Sequence, residues 1–211
     1  MTPLLQQRFD EAISDRQLLD HPFYRRWEAG ELRRVELTHY AEQYRHFERM
    51  LPMFLRRLSA KVSPGAARDL VDANLSDEVS APSHLELFEE FASFYGAREV
   101  EMTPATRGLV DAYTEVLHRG PVAALAGLLA YESQGAGIAD TKAAGLHDHY
   151  GASRQALVFW HEHGSIEEDH AQWTFDALES LEPDVSEVQE AARVVAQAWW
   201  SFLDERELAA A

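Results

Sequence analysis

Apolar residues recur at intervals of three and four along nearly the whole chain, and no stretch shows the strict alternation of a half-buried strand. The pattern predicts helices over 3–20, 33–61, 66–80, 83–95, 104–119, 121–150, 154–181 and 186–205. Turn chemistry separates them at His21-Pro22, Ala29-Gly30, Ser63-Pro64-Gly65, Ala81-Pro82-Ser83, Thr103-Pro104, Gly120-Pro121, Tyr150-Gly151 and Glu182-Pro183. Pro52 falls inside the second helix and is expected to kink it. With no repeat, low-complexity linker or shift in composition, the chain reads as one all-α domain over 1–211.

The informative positions are those that break the apolar stripes. At about 100° per residue, Glu167 lies roughly 40° and His170 roughly −20° from His163. Phe159, Trp160, Ile166, Ala177, Leu178 and Leu181 share that direction, whereas His161, Glu162, Glu168 and Asp169 point away toward solvent. A carboxylate buried between two imidazoles is costly unless a cation compensates it. A pair of core histidines bonded to a buried glutamate is the alternative, and more ligands are needed to decide.

The same wheel test supplies them. Glu78 shares a direction with Ala67, Leu70, Val71 and Leu75; His84 lies among Leu87, Phe88, Phe91 and Tyr95; Glu132 lies among Leu125, Leu128, Leu129, Ala136 and Ala139. One buried polar residue per helix is usually a satisfied core hydrogen bond. Six that are all ligand types, with no Asn, Gln or Thr among them, point to a dinuclear iron or iron/manganese site of three Glu and three His. A ferritin-like bundle would show two Glu-x-x-His motifs facing the core. The chain has Glu115…His118 and Glu167…His170, but Leu109, Val110, Tyr113, Val116 and Leu117 mark the buried side of the first helix and Glu115 points the other way.

Composition narrows the rest. The net charge of −17 opposes binding to nucleic acid or an anionic membrane. No run approaches the roughly 20 apolar residues of a membrane span, and Met1–Asp20 is too polar for a signal peptide, so a cytosolic protein is expected. The absence of Cys excludes disulfides, thiolate nucleophiles and zinc–thiolate sites. The apolar run Ala198–Leu203 is suited to cover either the core or a second copy in a homodimer. Arg outnumbers Lys 17 to two, so Lys142, on an Ala-rich helix, is either a surface residue spared by chance or a position that needs an amine able to lose its proton. Tyr40 shares a face with Leu37, Tyr44, Phe47, Leu51 and Phe54, which core packing explains.

Taken in order, several blocks resemble the heme-oxygenase-like dinuclear-metal oxidases over nearly the whole chain. They are His21-Pro22-Phe23-Tyr24-Arg25-Arg26-Trp27 with Gly30-Glu31-Leu32, and Asn74-Leu75-Ser76-Asp77-Glu78 ahead of His84. Tyr131-Glu132-Ser133-Gln134 follows, with Ile138-Ala139, Lys142, Gly145-Leu146 and Tyr150-Gly151, and then His163, Glu167 and His170-Ala171. The resemblance is greatest to the branch that makes para-aminobenzoate for folate, and it implies a bundle of seven or eight helices. It assigns Glu78, His84, Glu132, His163, Glu167 and His170 as ligands of two transition-metal ions, with O₂ and an external reductant as co-reactants. It further implies that Tyr24 supplies an aromatic ring and Lys142 its amino group, with Tyr40 and Tyr131 as aromatic neighbours. Two features depart from the family pattern: Glu167 stands where Asp is more usual, and Gly135-Ala136-Gly137 replaces a proline-containing turn.

The leading expectation is an O₂-dependent oxygenase that makes para-aminobenzoate from its own Tyr24 and Lys142. A related oxidase acting on an external small molecule would use the same ligands, with Tyr24 only lining a pocket. A cofactor-free protein resembling the thiaminase-like or quinone-cofactor-synthesis branches of the fold leaves six buried ligand-type residues unexplained. The first of those branches also needs a thiol. The axial His of heme oxygenase has only His21 to match it, at a break before Pro22.

Overall fold

The computed structural model describes residues 3–208; the outermost residues of the expected domain, 1–2 and 209–211, lie outside them. Nine α-helices and two short 3₁₀ turns are present, with no strand among the described residues. They are α1 (Pro3–Ile13), α2 (Pro22–Glu28), α3 (Arg34–Lys61), α4 (Ala66–Val79), α5 (His84–Phe94), α6 (Pro104–Arg119), α7 (Pro121–Asp148), α8 (Arg154–Ser180) and α9 (Val185–Leu208).

Local chemistry sets most boundaries. Ser83 caps α5 in a reciprocal box with Glu86, Ser153 caps α8 through Ala156 N, and Pro104 and Pro121 open their helices where a missing N–H costs nothing. α3 runs unbroken through Pro52, which deprives the Glu48 carbonyl of its helical donor. Two expectations need correction. The helix expected over 3–20 stops at Ile13, where the Ser14 hydroxyl bonds back to the Glu11 carbonyl, and the chain then turns so that Leu18 N donates to Gln134 Oε1 at 2.7 Å. His21-Pro22 is not simply a break: His21 Nδ1 accepts from Phe23 N at 3.0 Å and starts α2.

Seven residues cannot hold a helix alone, so α2 is stabilised by what it buries. Phe23, Tyr24 and Trp27 are each at most 1% exposed, and a side chain such as Phe contributes about 1.5–3 kcal/mol when fully buried. Trp27 reaches α7 because position 145 is glycine: a Cβ there would lie 2.8 Å from the indole and 3.0 Å from the Trp27 carbonyl. The indole N–H then donates to the Lys142 carbonyl at 3.2 Å.

α7 and α8 form the central pair. α4 and α5 pack on α8, α3 lies against α4, α5 and α6, and α9 lies on α7, α6 and α1. The apolar run near the C-terminus turns inward, since Trp199, Phe202 and Leu203 are fully buried.

Candidate metal centre and its aromatic neighbour

All six residues singled out by the wheel test are buried, on α4, α5, α7 and α8. Their side chains converge. His84 Nδ1 is 3.0 Å from Glu78 Oε1, the His84 ring centre lies 4.4 Å from that of His163 and 6.3 Å from that of His170, and His163 Nε2 is 3.6 Å from Glu167 Oε1. Asn74 donates to Glu132 Oε1 at 2.7 Å, and His170 Nε2 pairs with Asp77 at 3.2 Å. The rival Glu115 and His118 are exposed on α6.

Among the described residues, no three His, Asp or Glu side chains already surround one position suited to an ion. The donor set nevertheless fits a transition metal. Glu78 Oε2, Glu132 Oε2, Glu167 Oε2 and His163 Nδ1 are buried with no hydrogen-bond partner, and the close His84–Glu78 contact is poorly aligned for a hydrogen bond. Buried polar atoms left in this way cost about 1–3 kcal/mol each. Nitrogen and oxygen donors without sulfur suit iron or manganese.

The electrostatics follow from burial. It pushes Glu132 up to about 8 and Glu167 well above the carboxylate range, where the neighbouring Glu132 and Glu78 add to the shift. It pulls His163 well down, helped by the nearby His84 and His170. Burial also opposes charge on His84, but the Glu78 carboxylate outweighs it and raises that imidazole.

Gly135 explains how the longer carboxylate fits. A Cβ at this position would lie 2.5 Å from Glu167 Oε2 and 2.8 Å from its Cδ. The two departures from the family pattern are therefore in contact, with the space left by one taken up by the other. A surface cavity of about 230 Å³ between α1, α7 and α8 reaches Glu132 and Glu167.

A second polar cluster adjoins the first. Lys142 is 1% exposed, so it is no surface residue. Its Nζ hydrogen-bonds the Tyr40 hydroxyl at 2.6 Å, and that hydroxyl lies 3.1 Å from the hydroxyl of Tyr24. The rings of Tyr24, Tyr40, Tyr44 and Trp160 surround the nitrogen at 4.3–5.0 Å. Burial draws the ammonium far below the usual lysine range, against the pull of the Glu48 and Glu167 carboxylates, and it raises Tyr24 and Tyr40. Burial therefore disfavours charge on the amine and on the phenols alike. Tyr131 lies outside this chain: its hydroxyl bonds Tyr44 at 2.7 Å and its ring stacks on Trp199.

Sequence reasoning missed three participants, Tyr44, Trp160 and Glu48. Glu48 stands four residues after Tyr44 and three before Leu51, on the stripe that had placed Tyr40 in the core, so the same wheel test applied to α3 finds it.

The fold is heme-oxygenase-like: a domain of that fold and unknown function from Shewanella denitrificans superposes with a TM-score of 0.74 at 15% identity, covering 98% of this chain and 90% of that one. The chain belongs to the iron-containing redox enzyme family, whose profile matches residues 37–204. It is 33% identical to a 4-aminobenzoate synthase of Nitrosomonas europaea, over 96% of this chain and 91% of that protein. It is 31% identical to a 4-aminobenzoate synthase of Chlamydia muridarum, over 93% and 87% respectively. The protein is an oxidoreductase of the oxygenase type in a family that uses iron. Among the described residues, no helix is long and apolar enough to cross a membrane.

Proposed function

We propose that the chain is an O₂-dependent oxygenase with a dinuclear iron or iron/manganese centre, and that it makes 4-aminobenzoate from its own Tyr24 and Lys142. The observation that carries this reading is the placement of the Lys142 nitrogen 4.9 Å from the centre of the Tyr24 ring, inside a dry aromatic cage beside the carboxylate–imidazole cluster. The names of the relatives support the product.

Glu78, His84, Glu132, His163, Glu167 and His170 would hold the two ions. Bound there, the ions would supply the redox chemistry that couples O₂ and an external reductant to oxidation of the ring. The protein's own residues set the geometry. The Tyr40 hydroxyl, held between Tyr24 and Lys142, orients the amine toward the ring it is to join. Burial favours the form of Lys142 that carries a lone pair. Trp160 and Tyr44 exclude water from the amine.

The reduced, iron- or iron/manganese-loaded protein is expected to release 4-aminobenzoate with O₂ and reductant alone, at no more than one equivalent per chain. Tyr24→Phe and Lys142→Arg should abolish the product and leave metal content unchanged. Product from the Tyr24→Phe protein would overturn the proposal. The cavity reaching Glu132 and Glu167 favours a second reading, an oxidase of an external small molecule, since none of Tyr24, Tyr40, Tyr131 and Lys142 lines it. Sustained turnover of an added substrate by the Tyr24→Phe protein would select that reading.

A further inference from the structure

Glu48 is 1% exposed, and neither of its carboxyl oxygens makes a well-aligned hydrogen bond. Among the described residues it forms no ion pair. Lys142, the one lysine within electrostatic reach, is hydrogen-bonded to Tyr40 instead. The hydroxyl neighbour of Glu48, that of Tyr44 one turn back, is shared with Tyr131 at 2.7 Å. A carboxylic acid in such a place weakens the fold, because burying it with its hydrogen bonding this incomplete costs more than an apolar side chain of the same size. Packing therefore does not account for it.

Its position does. Tyr40, Tyr44 and Glu48 form a column on α3 at intervals of four residues, each step about 6 Å along the axis. The column begins at the Lys142 nitrogen, which touches Tyr40 and lies over the Tyr44 ring. It ends at Glu48, whose strongest charged neighbours are Glu78 and His84. Glu48 thus occupies the junction of the two polar clusters, beside the one close carboxylate–imidazole pair of the first. Charge gives an independent reason. Two divalent ions held by Glu78, Glu132 and Glu167 alone would leave one uncompensated positive charge in a dry interior, and a fourth carboxylate removes it.

We infer that Glu48 is a seventh donor to the metal centre, on the side of Glu78 and His84. This rests on the dinuclear reading of the site, and the two fail separately. The test is anaerobic Fe(II) titration of the full chain and of Glu48→Gln and Glu48→Leu, followed by Mössbauer spectroscopy and melting curves with and without iron. The wild type is expected to bind two ions. Both variants should bind one of the two at least about tenfold more weakly, with an altered spectrum at that site alone. Metal-free Glu48→Leu should melt above the metal-free wild type, because a poorly satisfied buried carboxyl is gone, yet gain less from iron. Wild-type binding constants and spectra in both variants would overturn the inference while leaving the dinuclear centre standing. A wild type that binds no iron would overturn both.

Discussion

Two buried polar clusters lie side by side in this bundle and treat their hydrogen bonds in opposite ways. In the cluster around Lys142 the amine and the hydroxyls of Tyr24, Tyr40, Tyr44 and Tyr131 all have partners, and only the Trp160 indole N–H lacks one. Among the carboxylates and imidazoles next to it, five of the six expected ligands have a buried atom with no well-aligned hydrogen bond. Both are equally dry, so exposure does not explain the contrast. A satisfied network is rigid as it stands; an unsatisfied one is completed by something that binds.

The largest effects should come from deleting one member on each side. His163→Ala or Glu132→Ala is expected to lose bound iron outright, measured by elemental analysis after anaerobic loading, with little loss of metal-free stability. Tyr40→Phe should do the reverse: metal content unchanged, and a loss of about 1–3 kcal/mol in denaturant unfolding, because Lys142 and Tyr24 lose their shared partner. Loss of iron in Tyr40→Phe with unchanged stability would erase the distinction.

A smaller effect separates shape from charge. Gly135→Ala puts a methyl group where the Glu167 carboxylate lies and is expected to weaken iron binding by about 10–100-fold. Adding Glu167→Asp in the same chain should recover much of that loss, a non-additive pair. If isothermal titration finds the two changes additive, the contact does not set the carboxylate's position.

The smallest effect is on the pH dependence of the metal-free protein. Glu48 and Glu132, raised to about 8, and Glu167, pushed the same way, hold protons that an unfolded Glu releases near ~4.3. The unfolded chain therefore binds fewer protons, and stability falls as pH rises through that window. Lys142 opposes this, since its depressed folded value adds stability as pH climbs toward the ordinary ~10.4. Three carboxyls outnumber one amine, so the metal-free melting temperature should be a few degrees lower at pH 8 than at pH 6.5. Loading with iron should flatten the difference, because cations take the place of protons. Calorimetry at the two pH values, with and without iron, checks the sign.

The sequence made the long helices legible because each carries its own start and stop chemistry, as at Gly120-Pro121 and Ser83. It could not show α2, whose seven residues are too few for a periodic signal and whose order comes from the docking of Trp27 on α7. Nor could it show the end of α1, since the competing hydrogen bond to Leu18 comes from Gln134, over a hundred residues away. The six candidate ligands stood out because each interrupts an otherwise apolar stripe. Glu48 interrupts a stripe in the same way, but α3 also carries Glu36, Glu42, Arg45 and Arg49, so only its direction on the helix, and not its charge, sets it apart.

α7 has a consequence of its own. Glu132 and Lys142 stand ten residues apart on this uninterrupted helix, about 15 Å along its axis and about 80° around it. A single rod thus sets the separation and the relative bearing of the two clusters, and loops elsewhere can lengthen or shorten without disturbing either. Inside that decade of residues the chain has no such freedom. One residue inserted or deleted would swing Lys142 about 100° away from its cage while Glu132 stayed in place, so this segment is fixed in length throughout, whereas its composition is held tightly where a side chain meets a cluster, as at Gly135.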